Sequence, residues 1–195
     1  MNQRRPDSGS PGDSSAPGSR RARGSHPARE QQRDSQRTRV YEAEHAVMRI
    51  FDRSDNYPLL QIAGSTITIP VERKFASVDN VQIYCDAFLA LRWVRETWPR
   101  AQVPVVVRRR SGQQAAHYER AAATIAVPGH VNASAWAMRE LVVLHELAHH
   151  LAPAGEQTHG PEFVGRLVHI VGEIIGPEAQ LMLRVTMSDM GARVG

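Results

Sequence analysis

"ELVVLHELAHHLAPAGEQTHGPEF" (residues 140–163) joins an unbroken apolar run to three histidines within six residues, then reaches a fourth just ahead of a Gly-Pro pair. Trp136, Met138, Leu141, Val142, Val143, Leu144, Leu147 and Ala148 leave the helix expected here almost no polar face. A helix that is apolar all round is buried, and bare histidines or a carboxylate inside it are costly unless something satisfies them. His145 and His149 are four apart, so their rings leave one face of the helix, one turn from each other. Such a pair can grip a single cation from two adjacent directions. Glu146, turned away by about 100°, reaches a water beside that cation without ligating it. This is the H-E-x-x-H arrangement, whose usual metal is zinc. A pair of hydrogen-bonded core histidines would leave Glu146 unexplained.

Catalytic zinc takes a third protein ligand and keeps an open position. His159 is the candidate chosen here. It lies ten residues beyond His149, across a loop containing Pro153 and Gly155, and it opens the next helix, from which its ring can turn back. The metzincin spacing is excluded, because its glycine and third histidine would fall at Ala152 and Gly155. Glu162 and Glu173 are lesser candidates for the third ligand. His150 faces away from the pair, which suits a supporting or surface role.

Working outward, residues 1–36 are Ser, Gly, Pro, Arg, Gln and Asp with scarcely an apolar side chain. Such a segment cannot bury enough surface to offset its chain entropy, so a disordered tail is expected. The domain proper is assigned to residues 37–195. Val40, Tyr41, Glu44, Val47, Met48 and Phe51 approach helical spacing and predict a first helix over 40–53. "STITIPVERKF" alternates and is β-branched, so a strand pair is expected between 64 and 75. Ser77 suits the N-cap of a helix over 78–98, with a stripe of Tyr84, Phe88, Leu91, Val94 and Trp98 stopped by Pro99. Strands are expected at 103–110 and 122–128, joined by a turn around Ser111-Gly112. Asn132 or Ser134 should cap the central helix, which should end near Leu151. Gly160-Pro161 starts another helix, Gly176-Pro177 breaks it, and a last one runs to about Met190. This order implies an α+β domain with a small sheet on one side.

Composition narrows the setting. Hydrophobic residues make up 42% of 195, enough for one domain with a real core. Cys85 is the only cysteine, which removes any internal disulfide or Cys-based zinc site and suits a reducing compartment. No apolar run approaches membrane-spanning length. No apolar stretch follows the Arg pair of "MNQRRPDSGS", so no export signal is read and cytoplasmic residence is expected. Nine of the 24 basic residues and four of the 20 acidic ones lie in residues 1–39, a local balance of +5. The rest of the chain carries fifteen against sixteen, or −1. A basic, solvated tail can touch nucleic-acid phosphates weakly and without specificity.

"HELAHH" followed by "HGPEF" resembles the SprT-like zinc metallopeptidases, whose motif is H-E-x-x-H and then H-G-x-x-F. The resemblance implies a zincin-like fold, in which a small β-sheet packs with the H-E-x-x-H helix and flanking helices. It also implies His145, His149 and His159 as zinc ligands, Glu146 as catalytic base, and Gly160 and Phe163 as the structural part of the second motif. Over about residues 34–190 the chain is similar to an uncharacterised actinobacterial metallohydrolase family, through "RDSQRTRVYEAE", "GSTITIP", "LALRWVRETWP" and "MRELVVLHELAHHL". The single cysteine leaves nothing for the Cys-rich zinc ribbon that SprT-like proteins often carry.

The function expected is therefore zinc-dependent hydrolysis of a protein or peptide substrate, with Glu146 taking a proton from the attacking water. Tyr118 and His117 are candidates for stabilising the oxyanion. The strand at 122–128, were it a sheet edge beside the metal, could pair with an extended peptide. Two other functions stay open: a nucleic-acid-associated factor working through the tail, and a non-catalytic scaffold stabilised by zinc. Trp93, Trp98 and Trp136 read as core or near-core residues, "RRR" at 108–110 as a solvated corner, and Cys85 as a small buried hydrophobe.

Overall fold

The computed structural model describes residues 34–110, 115–128 and 137–195. The tail up to residue 33 with its nucleic-acid contact, the Ser111-Gly112 turn, the Asn132 or Ser134 cap and Trp136 lie outside the described residues.

The first helix, α1 (Arg37–Phe51), buries Val40, Ala43, Glu44, Val47, Met48 and Phe51 along one stripe. A carboxylate on that stripe is the first departure from a purely apolar face. The hairpin comes earlier than expected: β1 (Leu59–Ile62) pairs with β2 (Ser65–Thr68), with Ile62 opposite Ser65. Ala63 and Gly64 make the two-residue connection, both at positive φ (48° and 78°), as the hairpin twist requires. Residues 71–75, expected in the second strand, make only an isolated bridge, Lys74 to Arg139.

The helix expected over 78–98 is two. Ser77 caps α2 (Val78–Ala90) by accepting from the Asn80 N–H. Leu91 then adopts an extended backbone (φ −60°, ψ 132°) before α3 (Arg92–Thr97). Neither Gly nor Pro marks this break. It sets the Trp93 ring edge-on to Phe88, Trp98 and His169, a tertiary arrangement that a local pattern does not contain.

The main sheet has three strands in the order β3 (Val106–Arg110), β5 (Thr124–Pro128), β4 (His117–Glu119). β3 runs parallel to β5 and β4 antiparallel to it. The strand expected at 122–128 is thus the buried centre of the sheet, and the edge is β4. Three residues, "HYE", carry too little periodicity to announce themselves. The outer side of β3 is closed by Gln82, whose amide donates to the Val105 carbonyl and accepts from the Val107 N–H.

The central helix, α4 (Glu140–Leu151), begins at Arg139, and every residue in it is buried except half-buried His149. Arg139 offers no side-chain cap. Instead Glu72, from the extended 71–75 segment, accepts the Leu141 N–H at 3.0 Å and the Arg139 Nε–H at 2.7 Å. Arg139 also reaches Asp52 at 2.8 Å. Glu140 in turn takes Tyr84 Oη–H and Arg73. Two further helices, α5 (Pro161–Ile174) and α6 (Pro177–Asp189), begin with proline as expected. α4 packs on β4 and α5, and α6 packs on α5 and α1. At Gly165 a Cβ would stand 2.4 Å from the Gly195 carbonyl oxygen, so glycine alone lets residue 195 lie across α5. Six helices and two small sheets make this a mixed α and β structure among the described residues. No described helix is long and apolar enough to cross a membrane.

Glu72 and Arg139 are 1% and 6% exposed at their side chains. Glu72→Ala strands a buried guanidinium and uncaps α4, so it should lower unfolding free energy by about 3 kcal/mol. Glu72→Leu combined with Arg139→Met should recover most of that loss in denaturant unfolding.

Candidate metal centre

Burial makes the histidines of α4 neutral. His145 is held well below its ordinary pKa, first by desolvation and then by His159; His149 is lowered in the same way, with His145 and His159 adding to it. A neutral imidazole has one N–H and one lone pair. On His145, Nδ1 faces Glu44 Oε1 at 2.7 Å, and on His159, Nδ1 faces Asp34 Oδ2. In the tautomer that donates each Nδ1–H to its carboxylate, both Nε2 lone pairs point inward.

They meet. His145 Nε2 lies 3.0 Å from His149 Nε2 and 3.4 Å from His159 Nε2, and the candidate ligand atoms all fall within 4.8 Å of one another. An ion bound tetrahedrally with Zn–N bonds near 2.0–2.1 Å separates its ligand nitrogens by about 3.3 Å. The three histidines are therefore close enough to hold one metal ion. Each carboxylate behind a ring fixes the tautomer that ligation needs and raises the basicity of the nitrogen.

Aromatic rings hold the imidazoles in place. Phe163 stacks on His149 with centroids 4.2 Å apart and meets His145 and His159 edge-on at 5.0 Å. Tyr41 stacks on His145 at 5.2 Å from the opposite side. The carbonyl of His159 accepts from Gln36 Nε2 at 2.9 Å, and Gln36 Oε1 accepts the Arg193 N–H. The turn carrying the third imidazole is thus tied to the residues just before α1 and to the last residues of the chain. Arg166 joins the Ala148 carbonyl to Glu156, fastening the loop between His149 and His159 to α5.

Beside the triad lies a cleft of about 420 Å³, onto which Glu146, His149, His159 and Tyr41 open. Burial pushes the Glu146 carboxyl up to about 8, and the Glu44 charge adds to the rise, while an N–H from the Tyr118 backbone opposes it. Glu44 is likewise pushed up to about 8 by burial. A divalent cation among the rings favours the charged form of both.

All four sequence-chosen residues are together: His145, His149 and His159 as a cluster, and Glu146 on the wall of the adjoining cleft. Glu162 is exposed, and exposed Glu173 lines a different depression with Arg73 and Tyr84. His150 belongs neither to the metal cluster nor to the surface. It is fully buried, with Nε2 toward the Arg100 and Val103 carbonyls and Nδ1 at 2.9 Å from the Tyr118 hydroxyl. That contact, with Arg100 donating to the same oxygen, engages the hydroxyl expected to serve an oxyanion. His117 lines the cleft but is held between Arg110 and Glu119. Sequence reasoning missed Asp34, Gln36 and Tyr41. Glu44 stood in the stripe of α1, a carboxylate among core positions, and that was its available signal.

Zinc titration against a competing chelator should give one equivalent for the wild type, and His159→Ala should lose it. Glu44→Gln and Asp34→Asn keep all three ligands and should weaken binding by about 10–100-fold each. Comparison of the chain with family models, curated proteins and solved structures finds no match.

Proposed function

We propose that the protein is a zinc-dependent hydrolase, a metallopeptidase of the H-E-x-x-H type on a zincin-like scaffold. The observation that carries this reading is the convergence of three Nε2 atoms beside a cleft that also exposes a buried glutamate. An all-imidazole donor set suits zinc and leaves its charge undiminished. When bound, zinc supplies Lewis acidity, which makes water a nucleophile near neutral pH and polarises a carbonyl.

The chain's own groups do the remaining work. Glu146 accepts the proton of the attacking water and returns it to the leaving amine. The Tyr118 N–H keeps that carboxylate turned to the cleft wall. With the Tyr118 hydroxyl engaged by His150, Tyr41 is the phenol suited to a developing oxyanion. It lines the cleft, rests on His145, and takes a hydrogen bond from Arg37 while keeping its own proton to donate. β4 is the short edge strand next to α4, which favours an extended main chain as substrate and hence a peptide bond.

Glu146→Gln should retain a full equivalent of zinc and wild-type stability while cutting hydrolysis of unfolded protein substrates by about 10²–10⁴-fold. Undiminished hydrolysis in that variant would refute the reading, and a zinc-stabilised scaffold would show no hydrolysis in either protein. Tyr41→Phe should lower kcat by about 10²-fold with little change in KM.

A further inference from the structure

The charged groups of the cleft divide sharply by whether they are paired. Its three carboxylates are each engaged from within the protein: Asp34 on His159, Glu146 on the Tyr118 N–H, and Glu156 on Arg166. Its guanidiniums have contacts but no carboxylate partner among the described residues. Arg37 lies over the Tyr41 ring, 5.6 Å from the centroid, and Arg120 donates to the Ala152 carbonyl at 2.9 Å. Arg110 reaches cleft-lining His117. The partners are a phenol ring, a backbone carbonyl and an imidazole, and among the described residues no carboxylate forms an ion pair with any of these arginines. Arg108, by contrast, is matched by Glu119, which reaches it across the sheet from β4.

Arg37 and Arg120 stand on different walls. Arg37 opens α1, one turn before the tyrosine that rests on His145. Arg120 directly follows β4, and its carbonyl partner Ala152 closes α4 three residues past His149. A chain lying along the edge of β4 would therefore pass the metal centre with a guanidinium near each side. A guanidinium held by a neutral contact keeps its charge and spare N–H donors, and its planar fork matches a carboxylate.

We propose that this cleft selects peptides with acidic side chains flanking the scissile bond, read by Arg37 and Arg120 with Arg110 adding to the field. The proposal rests on the peptidase reading and deepens it by naming the substrate class. A nucleic-acid backbone fits less well, because it lacks the main-chain N–H and C=O groups with which an extended peptide pairs to the β4 edge.

Binding and hydrolysis separate the two claims. Two pools of fluorescent decapeptides, blocked at both ends and differing only in Glu or Gln at alternate positions, are titrated onto zinc-loaded Glu146→Gln protein. The Glu pool should bind about tenfold tighter at low salt, with the advantage shrinking as ionic strength rises. Adding Arg37→Gln and Arg120→Gln should bring the ratio towards one. Equal binding of the pools overturns the proposal, as does a preference that survives both substitutions. Tighter binding of a ten-nucleotide single strand than of the Glu pool overturns it in favour of a polyanion site. A Gln pool with a free C-terminal carboxylate that binds as well as the Glu pool overturns it in favour of chain-end recognition. Should wild-type protein cleave neither pool while the Glu preference in binding persists, the hydrolase reading falls and the acidic selectivity stands.

Discussion

Three imidazole lone pairs pointed at one another inside a protein make an arrangement that a cation relieves. His145, His149 and His159 bring their Nε2 atoms to 3.0 and 3.4 Å contacts in a region where burial holds His145 and His149 below their ordinary pKa. Glu44 and Asp34 face the outer nitrogens of His145 and His159, so a proton held on either outer nitrogen has an acceptor there. Rotating either ring to relieve the crowding would forfeit that bond and collide with Tyr41 or Phe163. Much of the surrounding structure serves to hold this geometry.

The scaffold holds it from several directions. At its start α4 is capped by a distant carboxylate, Glu72, which also binds the preceding arginine. At its end, carbonyls that the helix leaves unpaired are taken by Arg166, Arg100 and Arg120, at Ala148, His150 and Ala152. Three guanidiniums at the negative end of the helix dipole suit that position electrostatically as well. His150 then bolts α4 to the segment before β3 and to Tyr118 on β4. A helix fixed this way lets His145 and His149 behave as one rigid bidentate unit, and the third ring needs its own anchorage. Gln36 and the Gly195 N–H, donating to the Pro161 carbonyl, provide it.

The three clustered histidines were legible because each obeys a local rule. Four-residue spacing on an apolar helix identifies His145 and His149, and the Gly160-Pro161 helix start places His159 at a turn. Helix boundaries marked by proline were equally readable. The supporting residues were not, since their partners lie far along the chain: Asp34 is 125 residues from His159, and Glu44 is 101 from His145. Glu72 reads locally as one more residue of an alternating strand and becomes a helix cap only in three dimensions. The break at Leu91 and the three-residue β4 failed for the opposite reason. Each is decided by packing, with no punctuating residue to announce it.

Charge around the centre follows a radial order that ties these parts together. Behind the imidazoles stand the carboxyl groups of Glu44 and Asp34, and a dication among the rings would favour the charged form of Glu44. A dication and two carboxylates sum to about zero, so a loaded centre needs no help from the rim to balance itself. Farther out, Arg37, Arg110 and Arg120 carry charge that no ion pair among the described residues matches. Groups close to the imidazole cluster would answer to a bound cation, because in a buried region an unmatched charge is expensive. At the solvent-facing rim, water meets that cost, so unpaired arginines can persist there without penalty until a carboxylate arrives. Arg120 belongs to both parts of this order, since it closes the end of α4 through the Ala152 carbonyl and also lines the cleft.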